Sequence, residues 1–369
     1  MTTFRYLFAA CSLLLLVTGC KKDKDDPAND LFATYDRRAL LTRVRDNAAE
    51  PAFSQLATQA AQLRDQTATL SGTTASADLV VVQAAWSAAA IAWKRTEIFS
   101  FGPAETLNLA SGIAAEANPT VIDNALVATT PIDQAFIDTR PATAKGLWAL
   151  EYLLFDRAAG DAVVVARLTT APDAARRRAY VAALAADLAA RATAAHAAWQ
   201  TGPYRTQFVE ADGNDVTSSL SLLVNASVQT VEALKNERLG RPLGDQNGGT
   251  PQPATAEGYR SGTSGALIRA TLEGVELIWT GSGVATGINS LLDHLGAQSA
   301  GGQALSGAIN ARLGNALDRA TGDVVSLVDQ NRQPVIDLQT DVKQLTVLLK
   351  TEAVSKLGVL LTFNDNDGD

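Results

Sequence analysis

Residues 146–155 read GLWALEYLLF, and their spacing decides how the rest of the chain is read. As a helix, the stretch places Glu151 inside an apolar stripe. At about 100° per residue, Ala144, Leu147, Trp148, Leu154 and Phe155 all fall within about 60° of it. A carboxylate aimed into an apolar interior is costly unless a cation, a metal or several donors meet it there. Two readings are open at this point. Glu151 is a structural acid satisfied by an Arg or by backbone amides, or the chain uses it.

A second helix repeats the pattern. Leu79, Val82, Trp86, Ala90 and Trp93 share one face, and Glu97 rises on that face within about 40° of Trp86. Phe99-Ser100-Phe101-Gly102-Pro103 stops this helix, because Pro lacks a donor and disfavours helical backbone before it. The two acids therefore lie on two Trp-bearing stripes, each near a helix end. They are expected to line one pocket with Trp148 as a wall, their carboxylates within about 15 Å of each other.

Working outward, residues 31–358 carry helical signals almost throughout: abundant Ala and apolar residues recurring at three and four. Val163-Val164-Val165 is the one β-branched run, too short to build a sheet upon. The expected fold class is all-α, with two helical-bundle-like domains side by side over residues 31–203 and 204–369. A faint internal duplication is suspected, since both halves place an aromatic-containing helix before a Gly-rich stop and then a Gly-led apolar helix, at Gly146 and at Gly287. A first helix over 31–70, with a break near Pro51, is separated from the Trp86 helix by Ser71-Gly72-Thr73-Thr74. Short helices are expected around Asn118-Pro119 and Pro131. Pro172 opens a long helix to Gln200, and another covers 218–239. The stretch 240–262, rich in Gly, Pro and Asn, has a length usually reserved for function or flexibility. Further helices are expected over 265–279, 287–295, 302–317 and 335–357.

At the N-terminus, Arg5 and the apolar run 7–17, too short to span a membrane, read as an export signal over 1–19. Val17-Thr18-Gly19-Cys20 is similar to a bacterial lipobox, which would make Cys20 an acylated first residue and tie the protein to a membrane. Residues 20–30 read as a flexible tether. Lys21 directly after Cys20 favours the outer membrane, on its periplasmic or surface-exposed side. The two Cys are Cys11 and Cys20, so the folded part has no disulfide. A net charge of −8 argues against nucleic acid and against anionic lipid as partners.

Several strings in fixed order carry a resemblance: Trp93-Lys94-Arg95-Thr96-Glu97 leading into FSFGP, KGLWALEYLLFD, Arg178-Ala179-Tyr180 through Trp199, NERLGRPLG followed by Glu257, Ser261 and Ser264, and the ending LTFNDNDGD. Together they resemble the imelysin family of bacterial envelope proteins, over essentially the whole chain after the tether. The resemblance implies an all-helical, two-domain fold with a site where the domains meet, export or lipid anchoring, and a link to iron supply. The family is also counted among peptidases. Its signature, G-x-H-x-x-E, stands here with Trp148 in place of the His. Indole nitrogen is a donor only, so a His/Glu metal pair one turn apart cannot form. That argues against an active metallopeptidase and against His-dependent metal binding.

The remaining chemistry is sparse. His196 sits at the edge of a stripe with Val181, Leu188 and Trp199 and reads as a packing or surface residue. His294 lies at a helix end, where it suits the dipole. No Gly-rich loop has phosphate-binding spacing, no nucleophile elbow is present, and Met1 is the sole Met, which leaves no soft-metal ligands. Residues 364–369 hint at a calcium loop but lack its far carboxylate, and read as a solvated acidic tail. Any bound ion must be held by oxygens: Glu97 and Glu151 first, then Glu257, Ser261 and Ser264, a set suited to a hard cation such as ferric iron or calcium. Glu276 is expected to be neutralised by Arg269. The expected function is that of a binding or accessory lipoprotein in iron or other metal acquisition, working with a metal-uptake system. The alternatives are a residual hydrolase using a buried Glu as general base and a protein-interaction module.

Overall fold

Apolar spacing of three and four turns into helix along the whole of residues 27–281 and 286–362, which the computed structural model describes. Among these residues no strand forms beyond an isolated bridge between Gln298 and Ala304. The chain is all-α. Residues from Asp36 on pack as one unit, and the helix Pro27–Thr34 belongs to another. Residues 27–30, expected in the tether, form the first turn of that helix. The export signal, Cys20 and the acidic tail lie outside the described residues.

Helix α1 (Arg37–Val44) continues through a π-helical segment, Arg45–Ala49, into α2 (Glu50–Thr67). Pro51 does not break this run. It occupies the first turn of α2, where its missing donor is harmless, and the wider segment before it absorbs the irregularity. Helix α3 (Ser76–Thr96) carries Trp86 and Trp93, and short helices from Pro103–Thr106 to Gln134–Asp138 follow. Next come α4 (Gly146–Leu154) and the 27-residue α5 (Ala174–Gln200). Between them the Val163 run is part of a helix, Asp161–Thr169.

In the second half, α6 (Ser219–Ala233) passes into a π-helical segment, Leu234–Gly240, and α7 (Ser264–Trp279), α8 (Leu305–Arg319) and α9 (Gln333–Val347) complete the frame. A short helix, Val324–Gln330, was not expected from the periodicity. Its signal is Asp323, whose side chain caps the Ser326 amide.

Helix α5 packs on α2 and α2 on α3, while α3 also packs on α7 of the second half. Trp199 centres the first interface, with Phe53 stacked at 5.9 Å and Phe99 and Phe208 edge-on at 5.6 and 5.2 Å. Each such side chain, fully buried, contributes roughly 1.5–3 kcal/mol. The second interface depends on Gly274 of α7, because a Cβ there would lie 2.9 Å from the Arg95 carbonyl oxygen. That close approach brings the end of α3, with Glu97, against the second half.

Candidate functional site

Gly146 fixes the start of α4. Its φ is +71°, and a Cβ would fall 2.2 Å from the Ile113 carbonyl oxygen, so only glycine fits. With the helix pressed under residues 113–114, the Trp148 Nε1–H donates to the Ala114 carbonyl at 3.0 Å. The Trp148 ring meets Trp86 edge-on at 5.9 Å, and Trp86 Nε1–H donates to the Leu147 carbonyl at 2.8 Å. The indole is thus pinned as a wall, and its donor is engaged.

One turn on, Glu151 is buried. Its Oε1 accepts from the Ser261 backbone N–H at 2.9 Å and from the Ser261 hydroxyl at 2.8 Å. Its Oε2 accepts from nothing among the described residues. Burial raises the Glu151 carboxyl above the usual range, outweighing the Ser261 hydrogen bonds and the nearby Arg260 charge that pull it down.

Glu97 has different company. Lys94, three residues earlier with a side chain wholly shielded from solvent, places Nζ 2.8 Å from Glu97 Oε1 and 2.5 Å from Glu257 Oε1. The π-helical segment Leu234–Gly240 supplies Arg238, whose Nη2 lies 2.9 Å from Glu97 Oε2 and whose Nε lies 3.4 Å from Glu257 Oε2. Arg238 Nη1 donates to Thr271 Oγ1 at 3.0 Å. Burial alone would raise the Glu97 carboxyl, but the Arg238 and Lys94 charges together hold it below its usual value. Lys94 Nζ also sits 5.6 Å from the centroid of the Trp148 ring. Two acids and two bases form a closed, self-neutralised quartet behind that indole.

A cavity of about 290 Å³ opens in front of it, lined by Trp148 and Glu151 from one half and by Arg238, Arg241, Glu257 and Arg260 from the other. The Arg260 guanidinium stacks 4.8 Å from the Tyr152 ring, and the Tyr152 hydroxyl donates to Asp123 at 2.9 Å. Glu97 does not line this cavity. It lines a neighbouring one of about 430 Å³, and Arg238 and Ala114 border both. The single pocket expected for Glu97 and Glu151 is therefore two, because Lys94 and Arg238 hold Glu97 on their far side and Glu257 is the acid that faces the Glu151 cavity.

Ser261 is brought to Glu151, but Ser264 is not. Its hydroxyl donates to Asp323 at 3.0 Å and accepts from the Val324 N–H at 2.7 Å, joining α7 to the next helix. Arg269 pairs with Glu273, one turn away at 3.1 Å, in place of Glu276. Burial, and then the Glu273 charge, raise the Glu276 carboxyl. His196 Nε2 lies 3.6 Å from Glu50. Lys94, Arg238 and Arg260 were not foreseen as site residues. Lys and Arg are surface residues by default, and the only hint was Lys94 standing three positions before Glu97.

Among the described residues no group of three or more His, Cys, Asp or Glu is arranged to hold a metal ion. Glu97 and Glu257 already face Lys94 and Arg238, Ser264 is turned away, and Trp148 offers no lone pair. The expected oxygen set of Glu97, Glu151, Glu257, Ser261 and Ser264 does not fit a bare hard cation.

The family profile for imelysin, peptidase M75, matches residues 49–356. The chain belongs to the imelysin family. An iron-regulated protein A from Synechococcus elongatus is 26% identical over 249 residues, covering 64% of this chain and 60% of that relative, less than two thirds of its length. An imelysin-like protein from Psychrobacter arcticum superposes with a TM-score of 0.71 at 18% identity, over 92% of this chain and 99% of that one. A structure from Parabacteroides distasonis, titled as an iron-regulated protein A precursor, gives a TM-score of 0.71 at 14% identity, over 91% and 97%. These likenesses establish the imelysin fold.

In this imelysin-family chain the Ser261 contact is directly testable. Ser261→Ala leaves Glu151 Oε1 with the backbone donor alone, and is expected to cost about 1–2 kcal/mol at neutral pH. The folded Glu151 binds its proton more tightly than the unfolded one. Its contribution to stability therefore falls as pH rises from the ordinary 4.5 toward the raised value, and is constant above it. Ser261→Ala should carry that fall to higher pH, read from urea unfolding at a series of pH values. A pH profile identical to wild type would mean the hydroxyl does not reach the carboxylate.

Proposed function

We propose that the chain is an envelope protein, anchored through a lipid on Cys20, that serves iron or other metal acquisition as a binding component. We further propose that its cavity receives the metal as an anionic chelate rather than as a bare ion. One observation carries this reading. The acids nearest the cavity are already neutralised by Lys94 and Arg238, while Arg241 and Arg260 remain on its wall. Guanidinium groups suit the carboxylates of a chelator. Glu151, with its raised carboxyl and unpartnered Oε2, supplies a proton donor between them. The name of the Synechococcus relative supports the link to iron.

Titration calorimetry with ferric citrate, citrate, haem, calcium and zinc tests it. Ferric citrate is expected to bind, with affinity falling about tenfold or more in Arg260→Ala, and calcium and zinc are expected to give no heat. Binding of none of these, together with normal growth of a deletion strain under iron limitation, would overturn the reading.

The raised carboxyl of Glu151 also suits a general base acting on water, which keeps a hydrolase as the second reading. A peptide-library assay of wild type against Glu151→Gln separates the two. Equal background from both proteins removes the hydrolase.

A further inference from the structure

We infer that the second cavity is a separate binding site for a small, uncharged, largely aromatic molecule carrying one hydrogen-bond acceptor. It goes beyond the chelate site, which it adjoins at Arg238. At about 430 Å³ it falls within the range of pockets that take small-molecule ligands. Phe53, Trp93, Phe99 and Leu109 give it an apolar wall.

The deciding group is Trp93. It is only 5% exposed, and its Nε1–H donates to nothing among the described residues. Trp199 and Trp279 also carry unpartnered indole N–H groups, but neither lines this cavity. An indole can only donate, so what completes Trp93 is an acceptor arriving in the cavity. The ligand's charge follows from the other walls. An anion would meet Glu97 and Glu105, and the one lining guanidinium, Arg238, is already engaged by Glu97 and Glu257. A cation would meet Arg238, with Lys94 behind Glu97. A neutral acceptor such as a ketone or amide avoids both penalties.

Equilibrium dialysis of the whole protein against three probes of one shape tests this. They are 2-acetylnaphthalene, which has the acceptor, 2-ethylnaphthalene, which lacks it, and 2-naphthoate, which is an anion. The acetyl compound is expected to bind about fivefold to tenfold more tightly than the ethyl compound, and the naphthoate more weakly than either. Trp93→Phe keeps a ring but removes the N–H. It should erase the acetyl advantage and leave ethyl binding unchanged. Ala233→Phe, filling the cavity from the end of α6, should abolish both, with circular dichroism confirming that each variant is folded. The inference is overturned by no saturable binding of any probe, by equal binding of the acetyl and ethyl compounds to wild type, by tightest binding of naphthoate, or by an acetyl advantage that survives Trp93→Phe.

Discussion

Lys94→Met is expected to destabilise the fold by about 3–5 kcal/mol, a large share of the roughly 5–15 kcal/mol that holds a typical domain together. The side chain is wholly buried, and its ammonium stands between Oε1 of Glu97 and Oε1 of Glu257. Methionine fills much the same volume but leaves two buried carboxylates with Arg238 alone. Removing one acid as well should restore balance. The double variant Lys94→Met/Glu257→Gln is expected to recover more than half of the loss, a coupling that independent sites would not show. Urea unfolding of the two single variants and the double variant measures it. A loss below about 1 kcal/mol for Lys94→Met would show that the quartet does not support the fold.

Gly146→Ala is expected to cost about 2–4 kcal/mol. Part comes from forcing a side chain into left-handed backbone. The rest comes from the Cβ, which would fall 2.2 Å from the Ile113 carbonyl oxygen and require residues 113–114 to move. That movement draws the Ala114 carbonyl away from Trp148, so near-ultraviolet circular dichroism should change along with the unfolding midpoint. Gly314 provides the contrast. It sits inside α8 with nothing within 4 Å of an added Cβ, and Gly314→Ala should stabilise by about 0.5–1 kcal/mol. If both changes acted alike, the close approach at Gly146 would not be the cause.

Much of this was legible in the sequence, because local signals set it. The start of α5 after Pro172 and the bounds of α4 and α7 follow from apolar period and breakers within a few residues. The error at Pro51 has a local cause too, since a proline in a first turn and one in a helix interior look alike until the register is known. Glu151 announced itself by lying within an apolar stripe. Its neighbours could not. Glu257 meets Lys94 from 163 positions away, and nothing near either residue encodes the pairing. Glu97 looked like a partner of Glu151 by the same stripe argument. What set its place was the pull of two buried cations, whose side chains sequence reasoning assigns to solvent.

The segment Leu234–Gly240 has a further consequence for how kindred sequences are compared. A π turn holds one residue more than an α turn, so side chains leaving it are out of phase by about 100° with an uninterrupted helix. Arg238 reaches Glu97 from within that phase shift. A one-residue deletion there would keep every chemical group of the site yet swing the guanidinium about a quarter turn aside. A kindred chain with an unbroken helix at this point differs by a single gap, and an alignment that omits the gap sets the wrong side chain opposite Glu97.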